Sequence, residues 1–287
     1  MDQYFQFNYA YLIPLLPLIG AAIAGFFGAK WLKGQSHWPI WLGVGAAAVL
    51  SFMILAAFVD QTSHPVVTSE EHTASGVTVA EAHSVTAVRK ILYTWIDVGD
   101  KNSHEPGTHL HVSVGYFFDT LTSTMLCVVC GIGFFITVFA AGYMKGEAGY
   151  FRFFAYLGLF IFAMTNLVMG ENLIMLYLGW EGVGLCSYLL IGYYYDKPSA
   201  REAAKKAFLV NRVGDLGFGL GIMLSFLAFG TVSYFGDGHS AGLLSLANGE
   251  NLSAFQQSAL HVIPFLLMIG AFGKSVVKIA HATKLSA

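Results

Sequence analysis

Long apolar runs separated by short polar connections dominate the chain. Seven runs reach the roughly 20 residues that a helix needs to cross a hydrocarbon core about 30 Å thick. They lie near Tyr9–Ala29, Trp38–Val59, Leu121–Ala141, Phe153–Met169, Leu173–Tyr195, Ala207–Phe229 and Leu260–Ile279. Backbone polar groups must all be paired in lipid, so runs of this length read as helices. Small residues at four-residue spacing, Gly20, Ala24 and Gly28 in the first run and Gly217 and Gly221 in the sixth, allow helices to approach closely. No Lys or Arg precedes the first run, and its length exceeds that of a cleavable signal, so it reads as a retained span.

One long polar stretch, Asp60–Val114, interrupts this pattern. Its first half, Gln61–Ser84, is rich in Thr, Ser, Glu, Ala and His and is expected to be poorly ordered. Further on, Ile91–Val98 and Leu110–Phe117 are β-prone and flank a turn-rich Gly99–Gly107, which predicts an external β-hairpin. Ser240–Ser258 is expected to include a short helix lying along the same outer surface. The predicted fold is an all-α polytopic membrane protein of about seven spans with a small external hairpin. It divides into two N-terminal helices (1–59), the external loop (60–118), a helical unit (119–275) and a C-terminal tail (276–287).

Charge placement adds orientation. The chain is 56% hydrophobic and only 11% charged, and its net charge of −2 offers no field for nucleic acid. Lys30, Lys33, Lys145, Arg152, Lys197, Arg201, Lys205, Lys206, Lys278 and Lys284 fall in one set of alternating connections, against only Arg89, Lys90 and Lys101 in the other. The positive-inside rule then puts the N-terminus outside. The aromatics near span ends, Trp31, Trp38, Trp41, Tyr143, Tyr150 and Tyr193–Tyr195, read as interface belts.

Ionisable groups inside spans are costly, and each is therefore a functional candidate. Glu181 stands eight residues into the fifth span, about 12 Å deep at 1.5 Å per residue. It reads as a proton carrier, with a neutral acid held by a neighbouring helix as the alternative. Lys274, in the seventh span, reads as a proton-exchanging group or as a lysine snorkelling to the inner interface. Arg212 and Asp215 share one face of the sixth helix, as structural glue or as part of a proton path.

Other patterns carry less. Cys127-x-x-Cys130 lies inside an apolar span with no ligand partners, which favours core packing. The glycines from Gly214 to Gly221 follow no strand and make no dinucleotide loop. Six of the ten histidines lie in the external loop, where His109 and His111 share a strand face and read as solvated side chains rather than metal ligands.

The run Leu178-Gly179-Trp180-Glu181-Gly182-Val183-Gly184-Leu185-Cys186-Ser187-Tyr188-Leu189-Leu190-Ile191-Gly192 resembles the fifth-span signature of the subunit L (chain 5) family. These are the antiporter-like membrane subunits of NADH:quinone oxidoreductase, respiratory complex I. Gly142-Tyr143-Met144, Tyr150–Leu157, Asn211–Asp215 and Gly270–Ser275 are similar to the same family. The resemblance implies five-helix inverted repeats, of which 119–275 holds an incomplete one. It implies that Glu181 and Lys274 form a coupled pair in a proton pathway. It also implies a chain without a redox centre or cofactor of its own, with NADH, FMN, Fe–S clusters and quinone in partner subunits. The expected partners are the other membrane subunits and the lipid bilayer of the inner cell membrane.

After Ser275 the family continues with a Pro-interrupted helix and further spans, whereas Val276–Ala287 follows none of that pattern. A fragment or a frameshifted continuation is therefore expected, probed by reading the locus beyond Ser275. Two alternatives stand beside the proton-translocating subunit: the large subunit of a multi-subunit cation/proton antiporter, and a truncated remnant that conducts nothing.

Overall fold

A computed structural model describes residues 9–63, 67–72, 78–82, 87–99, 109–236, 242–249 and 252–282. Among the described residues, seven helices are long and apolar enough to cross a membrane. We number the helices α1 (Leu12–Phe27), α2 (His37–Ser63), α3 (Thr120–Tyr143), α4 (Tyr150–Met169), α5 (Leu173–Ile191), α6 (Pro198–Phe229), α7 (Leu243–Ala247) and α8 (Ala254–Ala282); all but the short α7 are spans.

Local chemistry explains where these helices start and stop. The Asp119 carboxylate accepts the Thr122 N–H at 2.6 Å, capping α3, and Asn172 does the same for Met175 at 2.8 Å, capping α5. Pro198 occupies the first turn of α6, where its missing N–H costs nothing. Gly230, at a φ of 72°, ends that helix in the left-handed conformation. Ser253 and Gln256 cap α8 reciprocally, each main-chain N–H donating to the other's side chain.

Span boundaries differ from the hydropathy reading mainly at α6, which begins at Pro198 rather than near Ala207. Residues 199–206 are polar yet rich in Ala, Glu, Lys and Arg, so they extend the helix beyond the apolar run. Similarly, α8 runs through residue 282 and takes in the first part of the 276–287 segment; residues 283–287 lie outside the described part.

Among the described residues, four strands form two antiparallel pairs, β1 (Val67–His72) with β2 (Thr78–Ala82) and β3 (Ala87–Gly99) with β4 (His109–Asp119). The second pair is the hairpin that the sequence predicts, longer at both ends; its turn, 100–108, lies outside the described residues. The first pair lies within the stretch 61–84 expected to be poorly ordered, of which residues 64–66, 73–77 and 83–84 lie outside the described part. Its β-branched Val67, Thr68, Thr78 and Val79 favour extended pairing. The short outer helix expected within 240–258 is α7.

Packing sets the ends of the bundle apart. The β3–β4 hairpin docks on the α4–α5 turn through buried Val112, Tyr116 and Phe118. Phe117 stacks on Phe235 from the α6–α7 connection, with ring centres 4.7 Å apart. The connections read as outer therefore gather at one end of the bundle. Between α6 and α8 the helices nearly touch: a Cβ on Gly214 would stand 2.9 Å from the Cα of Gly273, and one on Gly217 would stand 2.7 Å from Ile269. The glycines of 214–221 thus serve helix approach. Cys127 and Cys130 are free, buried thiols, the first preceding and the second inside a π-helical stretch at Val128–Ile132 in α3. His109 and His111 converge on Asp97, at 2.6 and 3.9 Å.

Candidate functional site

Glu181 and Trp180 are neighbours on α5, Arg212 and Asp215 lie one turn apart on α6, and Lys274 comes from α8. The close approach of α6 to α8 brings all five residues together. Glu181 forms an ion pair with Arg212 Nη1. The same nitrogen lies 4.0 Å from Asp215 Oδ2. Asp215 is 1% exposed, so a carboxylate taken that far from water needs partners. Trp180 supplies one, its indole N–H donating to Asp215 Oδ1 at 2.6 Å.

Lys274 sits on the other side of the same tryptophan. Its Nζ donates to the Trp180 carbonyl at 3.1 Å and lies 5.0 Å from the centre of the indole ring. One helical turn along α5, Gly184 leaves the room the ammonium occupies: a Cβ there would meet Nζ at 2.8 Å. Phe218 stacks on Trp180 with ring centres 5.1 Å apart, fixing the indole plane. Arg212 also lies over Phe208, its guanidinium carbon 4.6 Å from the ring centre.

The four sequence-selected residues thus converge, with a different pairing from the one expected. Glu181 meets Arg212, and among the described residues no ion pair joins it to Lys274. The lysine is held by a neutral carbonyl and a ring face. It points into the bundle toward α5 rather than snorkelling away from it. Asp215 and Glu181 share Arg212 as a common counter-ion. Arg212 Nε and Asp215 Oδ2 are buried without a hydrogen-bond partner, so the network retains unused capacity.

Sequence reasoning passed over Trp180, which links α5 to both α6 and α8. Its position beside Glu181 was the available signal. It also passed over Glu171, whose side chain is fully buried and pairs with Arg89 of β3. Ser113 of β4 donates to the same carboxylate, and Asn172 donates to the Ser113 carbonyl at 2.7 Å.

A bundle of membrane-length helices crossed by a partly buried, charge-balanced acid–base cluster, with Asp215 at its buried centre, is the arrangement of an antiporter-like membrane subunit. Residues 170–282 match the family described as NADH:quinone oxidoreductase/Mrp antiporter, TM. Residues 106–154 match the NADH-Ubiquinone oxidoreductase (complex I), chain 5 N-terminus. NADH-quinone oxidoreductase subunit L of Neisseria meningitidis serogroup B is 38% identical over 270 residues, covering 92% of this chain and 35% of that protein. Subunit L of Escherichia coli is 37% identical over 268 residues, covering 93% of this chain and 37% of that protein. The solved Mrp complex of a Dietzia species shares the fold at a TM-score of 0.61 and 18% identity, covering 92% of this chain and 23% of that one. The chain belongs to the subunit L (chain 5) family of NADH:quinone oxidoreductase. It spans little more than a third of the length of those subunit L relatives.

Proposed function

We propose that this chain forms proton-translocating machinery of the membrane arm of NADH:quinone oxidoreductase, with Glu181 and Lys274 as the groups that change protonation. The observation that carries this reading is the charge balance of the cluster: two carboxylates, Glu181 and Asp215, face one guanidinium and one ammonium. Arginine keeps its charge, and Asp215 is anchored by the Trp180 N–H. A proton arriving on Glu181 cancels its charge and leaves the cluster with excess positive charge in a medium where that is expensive. Lys274, which makes no ion pair among the described residues, is the member best placed to shed a proton in response. Uptake at one group and release at the other then titrate as a coupled pair. Arg212, relieved of Glu181, turns toward the open Oδ2 of Asp215.

In this reading, electron transfer in partner subunits supplies the energy, and those subunits hold NADH, FMN, Fe–S clusters and quinone. The chain sits in the inner cell membrane among other membrane subunits, with its N-terminus and hairpin outside. The test is Glu181→Gln in the assembled full-length complex. The amide keeps size and hydrogen bonding but cannot ionise. Proton pumping should fall to background while assembly on native gels stays normal; normal pumping with normal assembly would return Glu181 to a packing role.

The likeness to the Mrp complex favours a second reading, the large subunit of a cation/proton antiporter. Vesicles separate the two. Proton movement that needs electron transfer and ignores a sodium gradient supports the first reading, and sodium-driven exchange without electron transfer supports the second.

A further inference from the structure

At the end of the bundle opposite the hairpin, where α4, α5 and α6 meet, a cavity of about 280 Å³ opens between the helices. Arg152, Arg201 and Lys205 line it, with Tyr188, Tyr193 and Tyr195 among the rings that complete the wall. Its volume is close to the lower end of the ~300–1,000 Å³ range of small-ligand pockets. No acidic side chain is among the residues that line it. The neighbouring cavity at the same end differs, because Glu147 lines it together with Lys33 and Lys145.

Three cations in one concavity repel one another, and among the described residues no ion pair offsets any of the three. Arg152 is held in place without being neutralised: its guanidinium carbon lies 5.0 Å from the Tyr195 ring centre and 6.0 Å from that of Tyr193. Arg201 and Lys205 stand one turn apart on the first turns of α6, so they present their charges on one face. The positive end of the α6 dipole lies at the same place, adding to the attraction for an anion. The cavity also lies where the span α5 ends at Ile191, and tyrosines at span ends favour the level of lipid headgroups.

We propose that this cavity binds a tetrahedral phosphate group, which either an anionic phospholipid headgroup or free inorganic phosphate would present. Arginines provide the fork geometry for phosphate oxygens and the lysine a point charge. The tyrosine rings pack against the glycerol or other carbon-bearing part of a headgroup. The site lies away from the acid–base cluster, so it holds whether or not that cluster moves protons.

The experiment uses the full chain, purified and stripped of lipid. Native mass spectrometry compares binding of phosphatidylglycerol with that of phosphatidylcholine, and a separate arm titrates inorganic phosphate in the absence of lipid. The variants are Arg201→Gln/Lys205→Gln and the charge-preserving Arg201→Lys/Lys205→Arg. Both positions are exposed, so packing should survive, and thermal melting of each variant checks it. The expected result is roughly tenfold or greater preference for phosphatidylglycerol in the parent and the charge-preserving variant, lost in the glutamine variant. Saturable phosphate binding without lipid, lost in the same variant, would also support the site and would identify free phosphate as the source. Equal binding of both lipids with no response to phosphate would overturn the proposal. So would a glutamine variant that folds normally and keeps the preference.

Discussion

Lys274 and Trp180 form a two-point contact, in which the ammonium donates to the tryptophan's carbonyl at 3.1 Å and lies 5.0 Å from its ring centre. The indole N–H of the same residue donates to Asp215 at 2.6 Å. Side-chain changes leave the carbonyl in place, so substitutions separate the other two contacts. Trp180→Phe keeps a ring under Lys274 and removes the donor to Asp215. A hydrogen bond to a charged group contributes about 1.5–3 kcal/mol, so Trp180→Phe should lower proton movement in reconstituted complex with assembly retained. Trp180→Leu, which removes the ring as well, should lower it further. Equal rates in the two variants would show that the ring face contributes nothing.

Gly184→Ala separates stability from function. Alanine in a helix interior is favoured over glycine by about 1 kcal/mol, so the thermal midpoint should hold or rise. The added Cβ would stand 2.8 Å from Lys274 Nζ, so the ammonium must shift from its present seat, and the contact with the Trp180 carbonyl should weaken. Proton movement should therefore fall in a protein that is no less stable. Unchanged proton movement would mean that Lys274 tolerates displacement.

The hairpin end of the bundle depends on the Arg89–Glu171 pair. The glutamate side chain is 0% exposed and the arginine 19%. Removing one partner of a buried pair strands the other charge, at a cost of about 3–5 kcal/mol. Arg89→Met should undock the β3–β4 hairpin, seen as new protease cleavage within 87–119. The Arg89→Met/Glu171→Leu double variant should cost less than the sum of the single changes, because no uncompensated charge remains. Strict additivity would show that the two side chains do not act together.

Tyr116 gives the hairpin a dependence on alkaline pH. Its hydroxyl donates to Asn166 Oδ1 at 3.2 Å, and burial, with a smaller contribution from nearby Tyr93, pushes its pKa up from 10.0 to about 12. The folded pKa is the higher one, so the neutral phenol stabilises the docked hairpin fully below pH 10. That stabilisation is lost as pH rises toward 12. Melting temperature should drop across this window in the parent and drop less in Tyr116→Phe. Parallel curves would remove Tyr116 as the cause.

Orientation is open to labelling, because the native cysteines, Cys127, Cys130 and Cys186, are all buried and should give little background. An impermeant thiol reagent added to intact cells should reach Val98→Cys on the hairpin. It should reach Ser199→Cys, at the start of α6, only after the membrane is opened. The reverse pattern would invert the assignment drawn from the positive connections.

Much of the fold was legible locally. The spans follow from apolar runs whose backbone has no alternative to helix in lipid, and the β3–β4 hairpin follows from two β-prone segments around a turn. Glu181, Arg212, Asp215 and Lys274 stood out because each charge interrupts an apolar run, which needs no knowledge of neighbours. Their partners could not be read in the same way. Periodicity shows which residues share a face of one helix, but not how far one helix slides or rotates against the next. The glycine contact of α6 with α8 sets that register, and it places Lys274 on Trp180 while Glu181 meets Arg212. The burial of Glu171 was equally hidden, since the residue sits in a short connection that looks exposed until Arg89, 82 positions earlier, folds over it. The sequence by itself therefore determined the spans, the hairpin and the charged residues inside the membrane. Which of those charges neutralise one another was decided by the tertiary structure alone, because ion pairs depend on distances between segments that the order of residues leaves open.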